Sequence, residues 1–145
     1  MLASAPVTAW VIAASMPEVR RQHLRKPEGA GWHFRLALEV VSVLEVLKET
    51  PERGLGAAAL AERLRVEPRE MSTVLETLAA LDWVGRLSEE GGAQMARHVL
   101  LADPAQTPVG PLAERLLVLR ASVADPVWMA TGLDQLKLKP LLPLD

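Results

Sequence analysis

Between residues 57 and 81 the hydrophobic positions recur with the period of an α-helix, twice in succession. The first run has apolar residues three or four positions apart, as in an amphipathic helix: Ala58, Leu60, Ala61 and Leu64. Val66-Glu67-Pro68 interrupts it, and Pro68 suits the first position of a new helix, where a missing N–H costs least. The second run repeats the spacing at Met71, Val74, Leu75, Leu78, Ala79 and Leu81.

After Leu81 the pattern changes to that of a β-hairpin. Residues 82–87 read as a strand, residues 88–92 carry the acidic and glycine residues of a turn, and residues 94–100 alternate again. Helix, short turn, helix and hairpin is the order of a winged helix-turn-helix. We therefore predict a mainly α fold with three helices and a β-hairpin wing.

The first of the three helices is predicted over residues 33–49. Its apolar face comprises Phe34, Leu36, Leu38, Val41, Leu44 and Leu47. Thr50-Pro51 ends this helix, and residues 52–56 are predicted to be a loop. The winged-helix domain is accordingly expected to span residues 33–102.

Residues 103–145 are predicted to form a C-terminal helical extension. Thr107 is a candidate cap for an additional helix that starts at Pro108, runs through Leu119 and packs on the core. Asp125-Pro126 is expected to break this helix, and the tail beyond leaves room for one more short helix.

The N-terminal residues 1–17 contain no charged side chain, and basic residues follow at Arg20, Arg21, His23, Arg25 and Lys26. A signal peptide would carry its positive charges before the apolar run, so that interpretation is disfavoured. The order suits the end of a transmembrane helix with a basic cytoplasmic flank. A buried N-terminal helix is the alternative. Residues 18–32 are interpreted as basic flank and linker.

The composition limits the kinds of packing and the kinds of functional site that the chain can form. Half of the residues are hydrophobic, yet the aromatic ones are only four Trp and one Phe, which favours helices closed by aliphatic packing. The absence of cysteine excludes disulfides, thiolate metal sites and thiol nucleophiles. The formal net charge of −2 provides no general attraction to nucleic acid.

Four stretches carry a resemblance to a known family: VTAWVIAASMPEVR, FRLALEVVSVLEVL, AALAERLRVEPREMSTVLETLAALDWVGRL and HVLLADPAQTPVGPLAERLLV. Over roughly residues 6–120 the chain resembles the C-terminal part of the YihY/BrkB inner-membrane proteins, which carry the label ribonuclease BN. The resemblance implies that residues 1–17 end the last transmembrane helix. It also implies that the rest is a cytoplasmic domain at the bacterial inner membrane, and that the chain is a fragment.

Residue types do not support the ribonuclease label. Cleavage of RNA without metal usually needs two groups that titrate near neutral pH, often histidines. The histidines here, His23, His33 and His98, fall in three separate predicted elements, so no catalytic pair is expected. No metal-ligand motif is present, and we predict no catalytic residues, no metal and no cofactor.

Nucleic-acid binding is a more specific hypothesis than ribonuclease activity, because the second helix of a helix-turn-helix reads base edges in many DNA-binding proteins. The candidate contacts are Arg63, Arg65, Arg69, Ser72, Thr73, Arg86 and Arg97. Residues 57–98 nevertheless contain five arginines against seven carboxylates, so the segment repels phosphate as much as it attracts it.

Three functions follow in order of preference. The first is a non-catalytic cytoplasmic winged helix that mediates protein contacts or self-association. The second is the nucleic-acid-binding part of a tRNA-processing ribonuclease, and the third is a membrane-tethered DNA-binding regulator. Arg20, Arg21, Arg25 and Lys26 are expected to flank the membrane near anionic headgroups. Trp32 and Trp83 are interpreted as packing residues.

Overall fold

The helices and short strands follow one another along the chain in the order expected for a winged helix. The structure is a computed structural model, and it describes residues 24–88, 96–117 and 125–143. The helices are α1 (Trp32–Leu47), α2 (Ala57–Leu64), α3 (Pro68–Ala80), α4 (Gly110–Leu116) and α5 (Asp125–Thr131), with a 3-10 turn at Lys139–Leu141. The strands are β1 (Leu55–Gly56), β2 (Val84–Leu87) and β3 (Arg97–Leu100).

Helix α1 lies at the centre of the core. It packs against α3, α4 and β3, and its most buried side chains are those of Leu36, Ala37, Val40, Val41 and Leu44. Trp32, which the sequence assigned to the linker, is the first residue of the helix and is buried, as expected of a packing residue. The helix ends at Leu47, whose carbonyl accepts a hydrogen bond from the Thr50 hydroxyl at 2.7 Å.

The helix-turn-helix has the predicted form. Helix α2 ends where Arg65 adopts a left-handed conformation with φ of 55°. The next residue, Val66, is buried, and its N–H donates to the carbonyl of Ala61 at 3.0 Å. Pro68 then opens α3, as its missing N–H suggested. The α3 positions predicted to be apolar at Met71, Val74, Leu75 and Leu78 are buried.

The hairpin belongs to a three-stranded antiparallel sheet in the order β1-β3-β2. Val84 pairs with Leu100, and Leu87 pairs with Arg97, which confirms the two predicted strands. The first strand starts two residues later than predicted, because the positive φ of Asp82 places it in a turn. Residues 89–95, which include most of the predicted turn, lie outside the described residues.

Strand β1 corrects the prediction that residues 52–56 are a loop. Leu55 pairs with His98 on the central strand. The preceding Gly54 has φ of 129°, and a Cβ atom there would overlap the carbonyl oxygen of His98. Glycine thus lets the chain approach β3 closely enough to pair.

The region after the hairpin packs on the winged helix, as predicted for the C-terminal helix. Val109, Leu112 and Ala113 are fully buried, and α4 contacts α1 and α3. Beyond α5, Leu138 and Leu142 are also buried in the same core. The core therefore includes side chains from beyond residue 102.

The predicted start of the C-terminal helix is wrong. Its N-cap is Val109, not Thr107, and Pro111 rather than Pro108 lies in its first turn. The hydroxyl of Thr107 donates instead to the carbonyl of Asp103 at 2.8 Å, which closes the turn that follows the hairpin. Pro108 itself pairs with Lys137 in an isolated antiparallel bridge, so the helix begins beyond it.

The predicted break at Asp125-Pro126 is the start of α5. Proline is tolerated there because the first turn of a helix has unbonded N–H groups in any case. Residues 118–124, where α4 was expected to continue, lie outside the described residues.

Among the helices that the structure describes, none combines the length and apolar character needed to cross a bilayer. The predicted membrane stub at residues 1–17 falls outside the described residues, as do Arg20 and Arg21.

Candidate functional site

The outward face of α3 is where a winged helix would contact a nucleic acid. Arg69, Ser72, Thr73 and Glu76 are exposed on it. The hydroxyl of Thr73 donates back to the carbonyl of Arg69 at 3.1 Å. That of Thr77 does the same to the carbonyl of Thr73, also at 3.1 Å. These hydroxyl protons are therefore bonded within the helix and do not face a ligand. Arg69 is the one basic side chain of α3.

Carboxylates accompany Arg69 at the start of the same helix. Glu67 precedes it and is exposed, while Glu70 follows it and is half-buried. The Oε2 atom of Glu70 lies 2.6 Å from Nε2 of His33, at the start of α1. This contact fastens α1 to α3.

The seven predicted contact residues do not form one surface. Arg69, Ser72 and Thr73 lie on α3, and Arg86 is exposed on β2. Arg97 on β3 donates a hydrogen bond to the carbonyl of Glu52, in the loop before β1. Arg63 and Arg65, at the end of α2, line a separate cleft against α1.

A small cavity of about 190 Å³ lies between α3 and the sheet. Ser72 and Glu76 line it from α3, and Arg86 and His98 line it from the strands. His98 is buried, and its burial, then the nearby charge of Arg86, lower its pKa below the usual 6.5. The neutral ring is thus favoured near neutral pH. Among the described residues, no group of three potential ligands could hold a metal ion.

The cleft lined by Arg63 and Arg65 has a volume of about 370 Å³, and we call it the arginine cleft. Its charged lining residues are Arg25, Arg35, Glu39, Arg63 and Arg65, and the remaining ones are Ser42, Val43, Leu64 and Pro143. The sequence does not predict this grouping, because residue 25 falls in the predicted linker and residues 35 and 39 are far along the chain from Arg63 and Arg65. Arg25 brings them together, because it bonds to Glu39 on α1 and to the carbonyls of Leu64 and Arg65 at the end of α2.

Arg25 organises one wall of the arginine cleft. Its Nη1 and Nη2 atoms donate to both carboxylate oxygens of Glu39 at 2.7 and 3.0 Å. Its guanidinium lies 5.0 Å from the ring centroid of Trp32. Its backbone N–H donates to the carbonyl of Arg65 at 2.7 Å. The predicted membrane-flank residue Arg25 is thus bound to the folded domain, whereas Lys26 beside it is exposed.

Comparison with known proteins shows relatives among membrane proteins. The chain is 39% identical over 137 residues to a UPF0761 membrane protein of Delftia acidovorans, covering 91% of this chain and 33% of that protein. It is 39% identical over 136 residues to a UPF0761 membrane protein of Verminephrobacter eiseniae, with the same coverage. The chain therefore spans about a third of the length of these curated relatives. No protein-family model matches it.

Solved structures with a similar fold are regulators. A protein of Listeria innocua named as a transcriptional regulator superimposes with a TM-score of 0.54 at 17% identity, over 81% of this chain and 88% of that one. CymR, the global cysteine regulator of B. subtilis, gives 0.50 at 16% identity, over 82% and 97%. At these identities the similarity concerns the fold alone. The chain is thus a winged helix related to about a third of the length of the UPF0761 membrane proteins.

Proposed function

We propose that this chain is the cytoplasmic winged-helix part of a YihY/BrkB-type inner-membrane protein, and that it binds protein rather than nucleic acid. The membrane assignment is supported by the 39% identity to UPF0761 membrane proteins over 91% of the chain. It is also supported by the sequence resemblance, which implies that this region follows the last membrane helix. No catalytic role is proposed for it.

The observation that carries the protein-binding role is the chemistry of α3. Its outward face offers one arginine, with Glu67, Glu70 and Glu76 around it and threonine hydroxyls bonded back to the helix. Phosphate contacts supply most of the affinity of a nucleic-acid reader, and they need several lysines or arginines. The arginines at the end of α2 do not add to this face, because they line the arginine cleft.

An apolar area on the wing supports a protein partner. Leu87 and Leu101 are 45% and 60% exposed. Leu101 lies over Gly85, where an added Cβ atom would be 3.1 Å from it, and Leu87 shares that face of β2 by strand alternation. Exposed leucines that share one face of a sheet are common in protein contacts. We call Gly85, Leu87 and Leu101 the wing patch.

Site-specific photo-crosslinking tests the proposal. A photoreactive amino acid is placed at position 101 of the full-length protein in bacteria, with exposed position 58 on α2 as the matched control. We expect a discrete, protease-sensitive adduct from position 101 and none from position 58. A nuclease-sensitive adduct from position 73 on α3, with none from position 101, would contradict the proposal.

Nucleic-acid binding stays the second candidate, because the fold is shared with transcriptional regulators. Its contacts would be Arg69, Ser72, Thr73 and Arg86, without the arginines at the end of α2.

A further inference from the structure

The arginine cleft carries an excess of positive charge that the described residues do not neutralise. Four arginines line it, and Glu39 is the one carboxylate among its lining residues. Both oxygens of Glu39 accept hydrogen bonds from Arg25. Arg35 reaches Glu39 only through Nε at 3.5 Å, and its side chain is 73% exposed. Among the described residues, most of the charge of Arg35, Arg63 and Arg65 is thus left without an opposite charge.

Arg63 and Arg65 are available to such a ligand. Both are exposed, and across the described ranges 24–88, 96–117 and 125–143 no carboxylate lies within 4 Å of either guanidinium. The carbonyls of Leu64 and Arg65, which would repel an anion at the end of α2, accept hydrogen bonds from Arg25. The helix end that faces the cleft is thus partly neutralised.

The backbone that carries these arginines is held in place by the fold. Arg35 lies on α1, whose opposite face is packed in the core, and Arg63 lies in the last turn of α2. The left-handed conformation of Arg65 is fixed by the turn that connects α2 to α3. Guanidinium groups bind phosphate oxygens in paired hydrogen bonds, so three of them around one cleft suit a phosphate group.

We infer that the arginine cleft binds the phosphate of an anionic phospholipid headgroup and holds the winged helix against the membrane surface. The choice of a lipid as the source rests on the proposed membrane attachment. The cleft includes Arg25, close to the start of the described chain, and Arg20 and Arg21 precede it in sequence. If the chain leaves the bilayer just before them, the cleft is the part of the fold tied most closely to the membrane.

The test compares two kinds of bicelle with the 145-residue chain, one of phosphatidylcholine and one that also contains phosphatidylglycerol. The phosphatidylcholine bicelle is the reference for any insertion of the apolar residues 1–17. We expect phosphatidylglycerol to shift the NMR resonances of Ser42, Val43 and Leu64 and of the arginine Nε–H groups at the cleft. Inorganic phosphate alone forms a separate arm of the experiment.

The double variant R63Q/R65Q should weaken binding to phosphatidylglycerol vesicles about 25-fold, from about fivefold for each basic residue. The matched control R69Q/R86Q removes the same charge from α3 and the wing and should weaken binding far less. Unchanged far-UV circular dichroism and backbone NMR spectra would show that both variants fold.

Several results would overturn the inference. Equal losses in the two double variants would mean general attraction of the protein to a charged surface. Saturation by inorganic phosphate, with no further shift from phosphatidylglycerol, would assign the cleft to a free anion. Cleft shifts caused by duplex DNA and lost in R63Q/R65Q would assign it to nucleic acid. These readouts lie at the cleft, so they are separate from those at α3 and the wing patch that test the proposed function.

Discussion

Replacing Gly54 with alanine should weaken the attachment of β1 to the wing. The backbone at Gly54 has φ of 129°, which L-residues rarely adopt. The added Cβ atom would overlap the carbonyl oxygen of His98 and lie 2.9 Å from a methyl group of Val99. Both neighbours belong to β3, and the closer one is backbone, so relief requires the strands to separate rather than a side chain to turn.

Two costs contribute to the loss of stability in G54A. A positive φ costs an L-residue about 1 to 2 kcal/mol, and overpacking against atoms that cannot move aside costs about 1 to 3 kcal/mol more. We therefore expect the free energy of unfolding to fall by about 2 to 5 kcal/mol. A small domain has about 5 to 15 kcal/mol in total, so the variant should still fold.

Gly132 provides the matched control, because its φ is 65° and a Cβ atom there would meet nothing within 4 Å. G132A should show the conformational cost alone, about 1 to 2 kcal/mol. Equilibrium urea unfolding, followed by far-UV circular dichroism, measures both variants. If G54A and G132A lost the same stability, the close approach of β1 to β3 would be refuted.

Three further substitutions and conditions test other contacts. R25Q should lower the free energy of unfolding by about 2 kcal/mol in urea titrations, since Glu39 is only 14% exposed and loses two charge-assisted hydrogen bonds. E70Q should cost less than about 1 kcal/mol in the same assay, because its His33 partner is 38% exposed. Burial lowers the pKa of His98 in the folded state, so the unfolded chain takes up its proton first. Stability should therefore fall as the pH drops below about 6.5, and this part of the fall should be absent from H98Q.

The parts of the fold that sequence predicted are those specified by local periodicity. Leu36, Val74 and Leu78 recur at helical spacing and are buried, and Pro68 marked the start of α3. Strand β1 has two residues, too few to show alternation, and it forms because Gly54 permits pairing with β3. The error at Thr107 has a similar origin, because the following residue, Pro108, pairs with the distant Lys137 in an isolated bridge.

The candidate site was less predictable than the fold. The sequence predicts Arg63, Arg65 and Arg69 as contacts of one nucleic-acid interface. The turn after α2 separates them, so that the first two line a cleft with Arg35 while the third lies on α3. Their position beside Arg35 depends on Arg25, which bonds both to α1 and to the end of α2, and no local pattern specifies those bonds.

An NMR titration of the 145-residue chain with duplex DNA and with tRNA, each at low and near-physiological salt, tests the central claim most directly. We predict no chemical-shift changes at Arg69, Thr73 or Arg86 at near-physiological salt, because the exposed face of α3 offers one arginine among carboxylates. Shifts concentrated at these three residues, weakening steeply as salt rises, would show that the winged helix reads nucleic acid and would contradict the account.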